Sequence, residues 1–279
     1  MSYREVIKTV QGRATVDGAG VHLVRVLGVK TAEDYDPWLM LDSFDSKDPS
    51  LYEAGFPFHP HRGIETITYL IEGEMIHRDS LGNQGTVKSG ESQWMTAGSG
   101  IMHEEMPQPS PRMLGAQIWL NLPKAEKMTA PNYFDIKKEM IPVVEEKDAT
   151  VRVIAGDYKG IMGVDPPHIK ATLYDVELGR GGLIEIGGKP DETCFIFLIL
   201  GGATTGGRDI PEKTAVLYGP GDRIVVEAKR EPTRFLYFQA PPLKEPIAWG
   251  GPIVMNTQSE LREAFEELDN DTFVKHERP

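Results

Sequence analysis

One cysteine in 279 residues, Cys194, rules out an internal disulfide and with it any disulfide-stapled secreted scaffold. Its surroundings, Cys-Phe-Ile-Phe-Leu-Ile-Leu, suit a buried core thiol better than a nucleophile. Long apolar runs are also missing, so no segment is predicted to span a bilayer. Met1 to Gly12 holds no apolar stretch of the kind a secretory signal needs. The formal net charge is -12, and the nearest thing to a basic stripe, Lys137-Lys138, is flanked by acids. Such a surface repels a phosphate backbone, which argues against direct nucleic-acid binding. These absences predict a soluble, cytoplasmic protein with no membrane partner.

Helical patterning is scarce as well. What fills the chain instead is short β-rich segments cut by scattered glycines and prolines, the punctuation of many strands and turns. Residues 14 to 29 alternate as a hairpin, and Trp38-Leu39-Met40-Leu41 reads as a buried strand. Ile64 to Ile71 forms another, ended by Glu72-Gly73-Glu74, with a return from Met75 to Asp79 and a further turn at Leu81-Gly82-Asn83. This spacing predicts a sandwich or small barrel. Pro123 to Ala149, rich in lysine and glutamate, reads as an interdomain connection with a short helical turn. The β pattern then resumes and echoes the first half. Phe197 to Gly202 matches Tyr69 to Glu74, and Pro220-Gly221-Asp222 takes the place of Ser89-Gly90-Glu91. Near the end, Ser259 to Leu268 is an amphipathic helix with Ser259 as its N-cap and Leu261, Phe265 and Leu268 on one face.

Four of the seven histidines lie between positions 59 and 103, and three of them form a pattern with chemical meaning. In an extended segment alternate side chains share a face, so His59-Pro60-His61 aims two imidazoles the same way. His103-Glu104-Glu105 does the same for His103 and Glu105. Two such pairs on neighbouring strands supply imidazole nitrogens and a carboxylate to one centre, a donor set suited to Fe, Mn, Co, Ni, Cu or Zn. Without thiolates, a closed structural zinc site is disfavoured and open positions remain for catalysis. By strand parity Glu65 also competes for the carboxylate role, and spacing leaves Glu65 and Glu105 undecided.

The stretch His59-Pro-His-Arg-Gly-Ile-Glu-Thr-Ile-Thr-Tyr-Leu-Ile-Glu-Gly, followed by His77-Arg-Asp-Ser-Leu-Gly-Asn, resembles the pirin family, a branch of the cupins. So do Gln93-Trp-Met-Thr-Ala-Gly-Ser-Gly-Ile-Met-His-Glu-Glu-Met-Pro, Gln117-Ile-Trp-Leu-Asn-Leu-Pro and Gly251-Pro-Ile-Val-Met-Asn-Thr. The likeness covers nearly the whole chain. It implies an all-β bicupin, two jelly-roll barrels in tandem with a C-terminal helix: an N-terminal metal-binding barrel over 1–135 and a barrel without ligands over 136–279. The family's ligand positions match His59, His61, His103 and Glu105, which implies Glu105 as the carboxylate and leaves Glu65 at most a supporting group. In the second half the corresponding positions fall near Gly187, Lys189, Arg234 and Leu236, and His168 and His276 stand alone.

The resemblance further implies one divalent metal per chain, Fe(II) first among the candidates, and quercetin 2,3-dioxygenase chemistry on a small, flavonol-like aromatic. Glu105 is then both ligand and catalytic base, and Gln117 orients a histidine or the substrate. Met102, Met106, Trp94 and Trp119 are candidates for an apolar pocket wall. The alternative it implies is a metal-binding regulator that acts on transcription through a protein partner.

Overall fold

The computed structural model describes residues 2–276. Two compact units are present, and they are not consecutive in sequence. One comprises the chain through Arg13, Glu33–Pro37 and Glu139–Pro242; the other comprises Ala14–Ala32, Trp38–Lys138 and the chain from Leu243 onward. Each unit thus takes an end of the chain that a linear cut near residue 135 assigns to the other. Strand β1 (Val6–Gln11) accordingly pairs within the unit built on the second half.

The first-half unit begins with the expected hairpin, β2 (Arg13–Asp17) and β3 (Val21–Leu27), and the buried β4 (Trp38–Ser46). Then come β5 (Phe56–His61), β6 (Ile64–Glu72), β7 (Glu74–Asp79), β8 (Gln84–Lys88) and β9 (Glu91–Thr96). It closes with β10 (Ile101–Pro107), β11 (Met113–Asn121) and β12 (Asn132–Ile136). A seven-stranded sheet in the order β12-β9-β6-β11-β4-β3-β2 faces a four-stranded sheet β5-β10-β7-β8. The β-branched run of β6 suits a strand buried on both faces. Gly73 ends it at φ +113°, a backbone state that L side chains rarely adopt.

Pro123 to Ala149 is more than a connection. Besides short 3-10 turns it carries β12, which pairs along its whole length with β9 and forms the edge of the first sheet, and β13 (Val143–Glu145). Charge-rich composition hid these strands because an edge strand needs only one apolar face.

The second-half unit continues with β14 (Ala149–Ala155), a small hairpin β15 (Asp157–Tyr158) and β16 (Ile161–Met162), then β17 (Thr172–Leu178) and β18 (Leu183–Gly187). β19 (Thr193–Leu200), β20 (Ala203–Thr205), β21 (Arg208–Ile210), β22 (Thr214–Tyr218), β23 (Arg223–Glu227) and β24 (Thr233–Ala240) complete it. Its sheets run β1-β22-β19-β24-β17-β14-β13 and β18-β23-β20-β21. Strand for strand this is the order of the first barrel, with β1 in the place of β12. The repeat is therefore real, and the match of Phe197–Gly202 to Tyr69–Glu74 holds, since β19 is the counterpart of β6. The second proposed match is off by one turn: Pro220-Gly221-Asp222 joins β22 to β23, the counterparts of β9 and β10, whereas Ser89-Gly90-Glu91 joins β8 to β9.

The C-terminal segment adds β25 (Ala248–Gly250), β26 (Ile253–Met255) and the helix α1 (Gln258–Asp269) to the first-half unit. The cap is Thr257, not Ser259: its hydroxyl accepts from the Glu260 amide, and Glu260 reaches back to the Thr257 amide in a capping box. Leu261 and Ala264 are buried, while Phe265 stays 39% exposed. Among the described residues, no helix is long and apolar enough to cross a membrane.

Candidate metal centre

Strands β5 and β10 run antiparallel, with His59 opposite His103 and His61 opposite Ile101. Burial along β10 alternates, so Ile101, His103 and Glu105 face inward while Met102, Glu104 and Met106 face out. One extra residue on β5 opens a bulge between His103 and Glu105, and Pro57, which has no N–H to donate, sits there without cost to the ladder. After His61 the chain turns sharply at Arg62-Gly63. A Cβ on Gly63 would stand 2.0 Å from the Val254 carbonyl oxygen, so no side chain fits. The buried Lys127 ammonium donates to the Gly63 and Val254 carbonyls and to Asn121 Oδ1, tying the C-terminal segment to this turn. Arg62, equally buried, pairs with Glu267 of α1 and lies over the Phe273 ring. Removing Glu267 would strand that guanidinium at a cost of about 3 kcal/mol or more.

His59, His61 and His103 each offer one ligand nitrogen, and the three atoms lie within 4.8 Å of one another. His59 Nδ1 donates to the Pro57 carbonyl at 2.9 Å, and His61 Nδ1 donates to the Pro252 carbonyl at 3.0 Å. A carbonyl has no proton to give, so in both rings Nε2 keeps a bare lone pair. Those two Nε2 atoms face each other at 3.1 Å with no proton to share. His103 Nε2 is buried and has no hydrogen-bond partner. Converging acceptors without a donor fit a cation. Burial also holds the rings neutral: His61 is pushed down to about 3, His103 well below its usual value, and His59 down as well. His61 and His103 are buried whereas His59 is partly exposed, which leaves an approach from solvent.

Glu105 is buried but lies outside that trio. Its Oε1 accepts from the Thr68 hydroxyl at 2.7 Å, and the same hydroxyl lies 2.7 Å from Gln117 Oε1. One hydroxyl proton cannot serve both, so the network is complete when the Gln117 amide turns its NH₂ toward Thr68. Desolvation pushes the Glu105 carboxyl up to about 7. Glu65 bonds Thr96 instead. Three residues from Thr68 on one strand, it points to the opposite sheet face. Parity counted from His59 misleads because the Arg62-Gly63 turn interrupts the strand. Of the four proposed wall residues, Trp119 reaches the cluster, its ring 4.9 Å from that of His61 and 5.8 Å from Trp249. Trp94 is buried against Phe134, Met102 packs on the C-terminal segment, and Met106 faces outward. His168 is partly exposed and His276 exposed.

The Pirin family model matches residues 20–120, and the model of the pirin C-terminal cupin domain matches residues 173–274. The chain belongs to the pirin family. A pirin-like protein of Caulobacter vibrioides is 41% identical over 98% of this chain and 100% of its own. The crystal structure of a quercetin 2,3-dioxygenase from Acinetobacter baumannii superposes with a TM-score of 0.90 at 30% identity, covering 98% of this chain and 99% of that one. A bacterial pirin from Escherichia coli in complex with nickel(II) shares the fold, with a TM-score of 0.65 at 21% identity over 84% of this chain and 99% of that one.

Within this pirin-family chain the sequence reading missed three participants. The Pro252 carbonyl and Trp249 come from the C-terminal segment, which distance along the chain concealed. His77 is the third: it lies opposite Glu105 on β7, and its Nε2 is 3.0 Å from His103 Nδ1. The alternation Met75, His77, Asp79, all buried, marks it as inward-facing. In the second barrel the pairing corrects the counterpart positions. Thr205 opposes Val226 as His77 opposes Glu105, and Ile186 opposes Ile224 as His59 opposes His103. The counterparts of His59, His103 and Glu105 are thus Ile186, Ile224 and Val226; Arg234 and Leu236 lie on β24, one strand too far.

Proposed function

We propose that the chain is a metal-dependent dioxygenase that opens the ring of quercetin-like flavonols, with His59, His61, His103 and Glu105 as ligands of one iron-class metal. The observation that carries the reading is the facing of bare imidazole lone pairs in a buried, open-mouthed cluster. A bound metal supplies Lewis acidity toward a chelating 3-hydroxy-4-keto group, lowering its hydroxyl pKa. The chain's own residues do the rest. Trp119 beside His61, and Trp249 beside Trp119, offer aromatic surface on which a planar substrate stacks. Glu105, a ligand at rest, takes the substrate hydroxyl proton at Oε2 when substrate arrives, while Thr68 holds Oε1.

To test this, the metal-free protein is loaded in turn with Fe(II), Mn(II), Co(II), Ni(II) or Cu(II), and flavonol loss, oxygen uptake and carbon monoxide release are followed. At least one metal form exceeds His103→Ala on this reading. If none does, the enzyme reading fails and a regulatory role through a protein partner replaces it.

A further inference from the structure

Two of the three histidines have no choice of tautomer, because Pro57 and Pro252 present carbonyl oxygens that only accept. His103 is different. Its Nδ1 faces Nε2 of His77 at 3.0 Å, a ring nitrogen that can either donate or accept. If His77 donates, the His103 proton sits on Nε2 and the third lone pair is lost. If His77 accepts, three lone pairs converge. We infer that His77 is a positioning residue: by accepting the Nδ1 proton of His103 it fixes the tautomer that makes His103 a ligand. The inference rests on reading the three histidines as a metal site.

The surroundings of His77 leave this hydrogen bond as the contact that sets its role. The residue is wholly buried, and its ring lies flat on Tyr133, with centroids 4.7 Å apart and an interplanar angle of 6°. Tyr133 holds the ring plane but gives it no hydrogen bond, since its hydroxyl donates to Asp135 and accepts from Gln93. His77 Nδ1 has no hydrogen-bond partner either, so nothing on that side dictates which nitrogen carries the proton. A cation at His103 Nε2 and an acceptor at His103 Nδ1 therefore favour one another across a single ring. Partners of this kind orient ligating imidazoles and raise their basicity, and losing one costs ten- to a hundredfold in metal affinity.

Two substitutions separate the acceptor from the packing. His77→Phe keeps a flat ring against Tyr133 and deletes the acceptor, whereas His77→Gln places an amide oxygen near the Nε2 position. Ni(II) affinity is read by competition titration, and the His103 tautomer by long-range ¹⁵N–¹H correlation on the metal-free protein. His77→Phe should lose about ten- to a hundredfold in Ni(II) affinity and shift His103 toward the Nε2–H form, and His77→Gln should recover most of both. Wild-type affinity in His77→Phe overturns the inference, and so does an equal loss in both variants. His59→Ala is run alongside. If it binds Ni(II) like the wild type, the three-histidine site itself is wrong. If it loses binding while His77→Phe does not, the role of His77 alone falls.

Discussion

The two barrels share one strand order and differ in what their inward positions hold. In the second, β19 turns Cys194, Ile196 and Leu198 inward, and these join Ile184, Ile186, Ile224, Val226 and Tyr237 in one continuous apolar core. In the first, the apolar interior is divided. Leu70, Met75, Val87 and Met113 form one cluster, and Ile64, Met95, Ala97 and Ile101 form another. Between Ile64 and Leu70 on β6 stand Thr66 and Thr68. By register, Thr68 and its neighbour Gln117 correspond to Ile196 and Tyr237. The same scaffold thus closes over a dry core in one half and a polar belt in the other. Burial of Thr68, Gln117 and Glu105 is tolerated there because they bond one another, and the three Nε2 atoms offer the place of a cation. The fold follows from alternation, and the chemistry from the identity of a few inward residues on one strand pair.

The sharpest way to break this contrast is to count metals. One divalent metal per chain is expected, since Ile186, Ile224 and Val226 offer no donor where the first barrel has His59, His103 and Glu105. His103→Ala should cost more than about a hundredfold in affinity, beyond what loss of a supporting partner costs. Two metals per wild-type chain by elemental analysis, or full occupancy in His103→Ala, would contradict it. A smaller effect distinguishes the carboxylates. Glu105→Gln should weaken metal binding about ten- to a hundredfold, whereas Glu65→Gln, on the opposite sheet face, should leave affinity unchanged. The reverse ranking in a competition titration would assign the ligand to Glu65.

Much of this was legible in advance. Alternation and glycine turns predicted the β2–β3 hairpin, β4, β6 and β7, and the His-x-His and His-x-Glu patterns predicted that His59, His61 and His103 converge. What the sequence concealed is physical in kind. The Arg62-Gly63 turn resets strand parity, so Glu65 looked inward-facing. Edge strand β12 needs too little apolar surface to stand out among lysines and glutamates. Repeat matching by a shared Pro/Ser-Gly-Asp/Glu turn slipped by one hairpin, because turn chemistry recurs at every hairpin while strand order is set only by pairing. The exchange of chain ends, which brings Pro252 beside His61 and Trp249 beside Trp119, leaves no local signature at all.

The last expectation concerns acid. Burial lowers the pKa of His61 to about 3, of His77 to about 4, and of His103 well below normal. In the unfolded chain all three titrate near 6.5. As pH falls below that value the unfolded chain takes up protons that the folded barrel refuses, so their contribution to stability is full above about 6.5 and is lost toward the folded values. Glu105 opposes them: its carboxyl is raised to about 7, so the folded state gains relative stability as pH falls from 7 toward the unfolded value. His59 is lowered in the same direction, so four bases oppose one acid and the metal-free folded state loses stability as pH falls from 6.5 toward 5. In the second barrel Cys194 and Tyr218 are raised by burial and stay neutral throughout this range, adding no slope. Urea unfolding of the metal-free protein at pH 7.5, 6.5 and 5.5 reads the effect, and His77→Phe should remove about one proton from the slope. A flat profile would mean that the folded chain takes up protons as readily as the unfolded one, and that the first interior does not hold its imidazoles neutral.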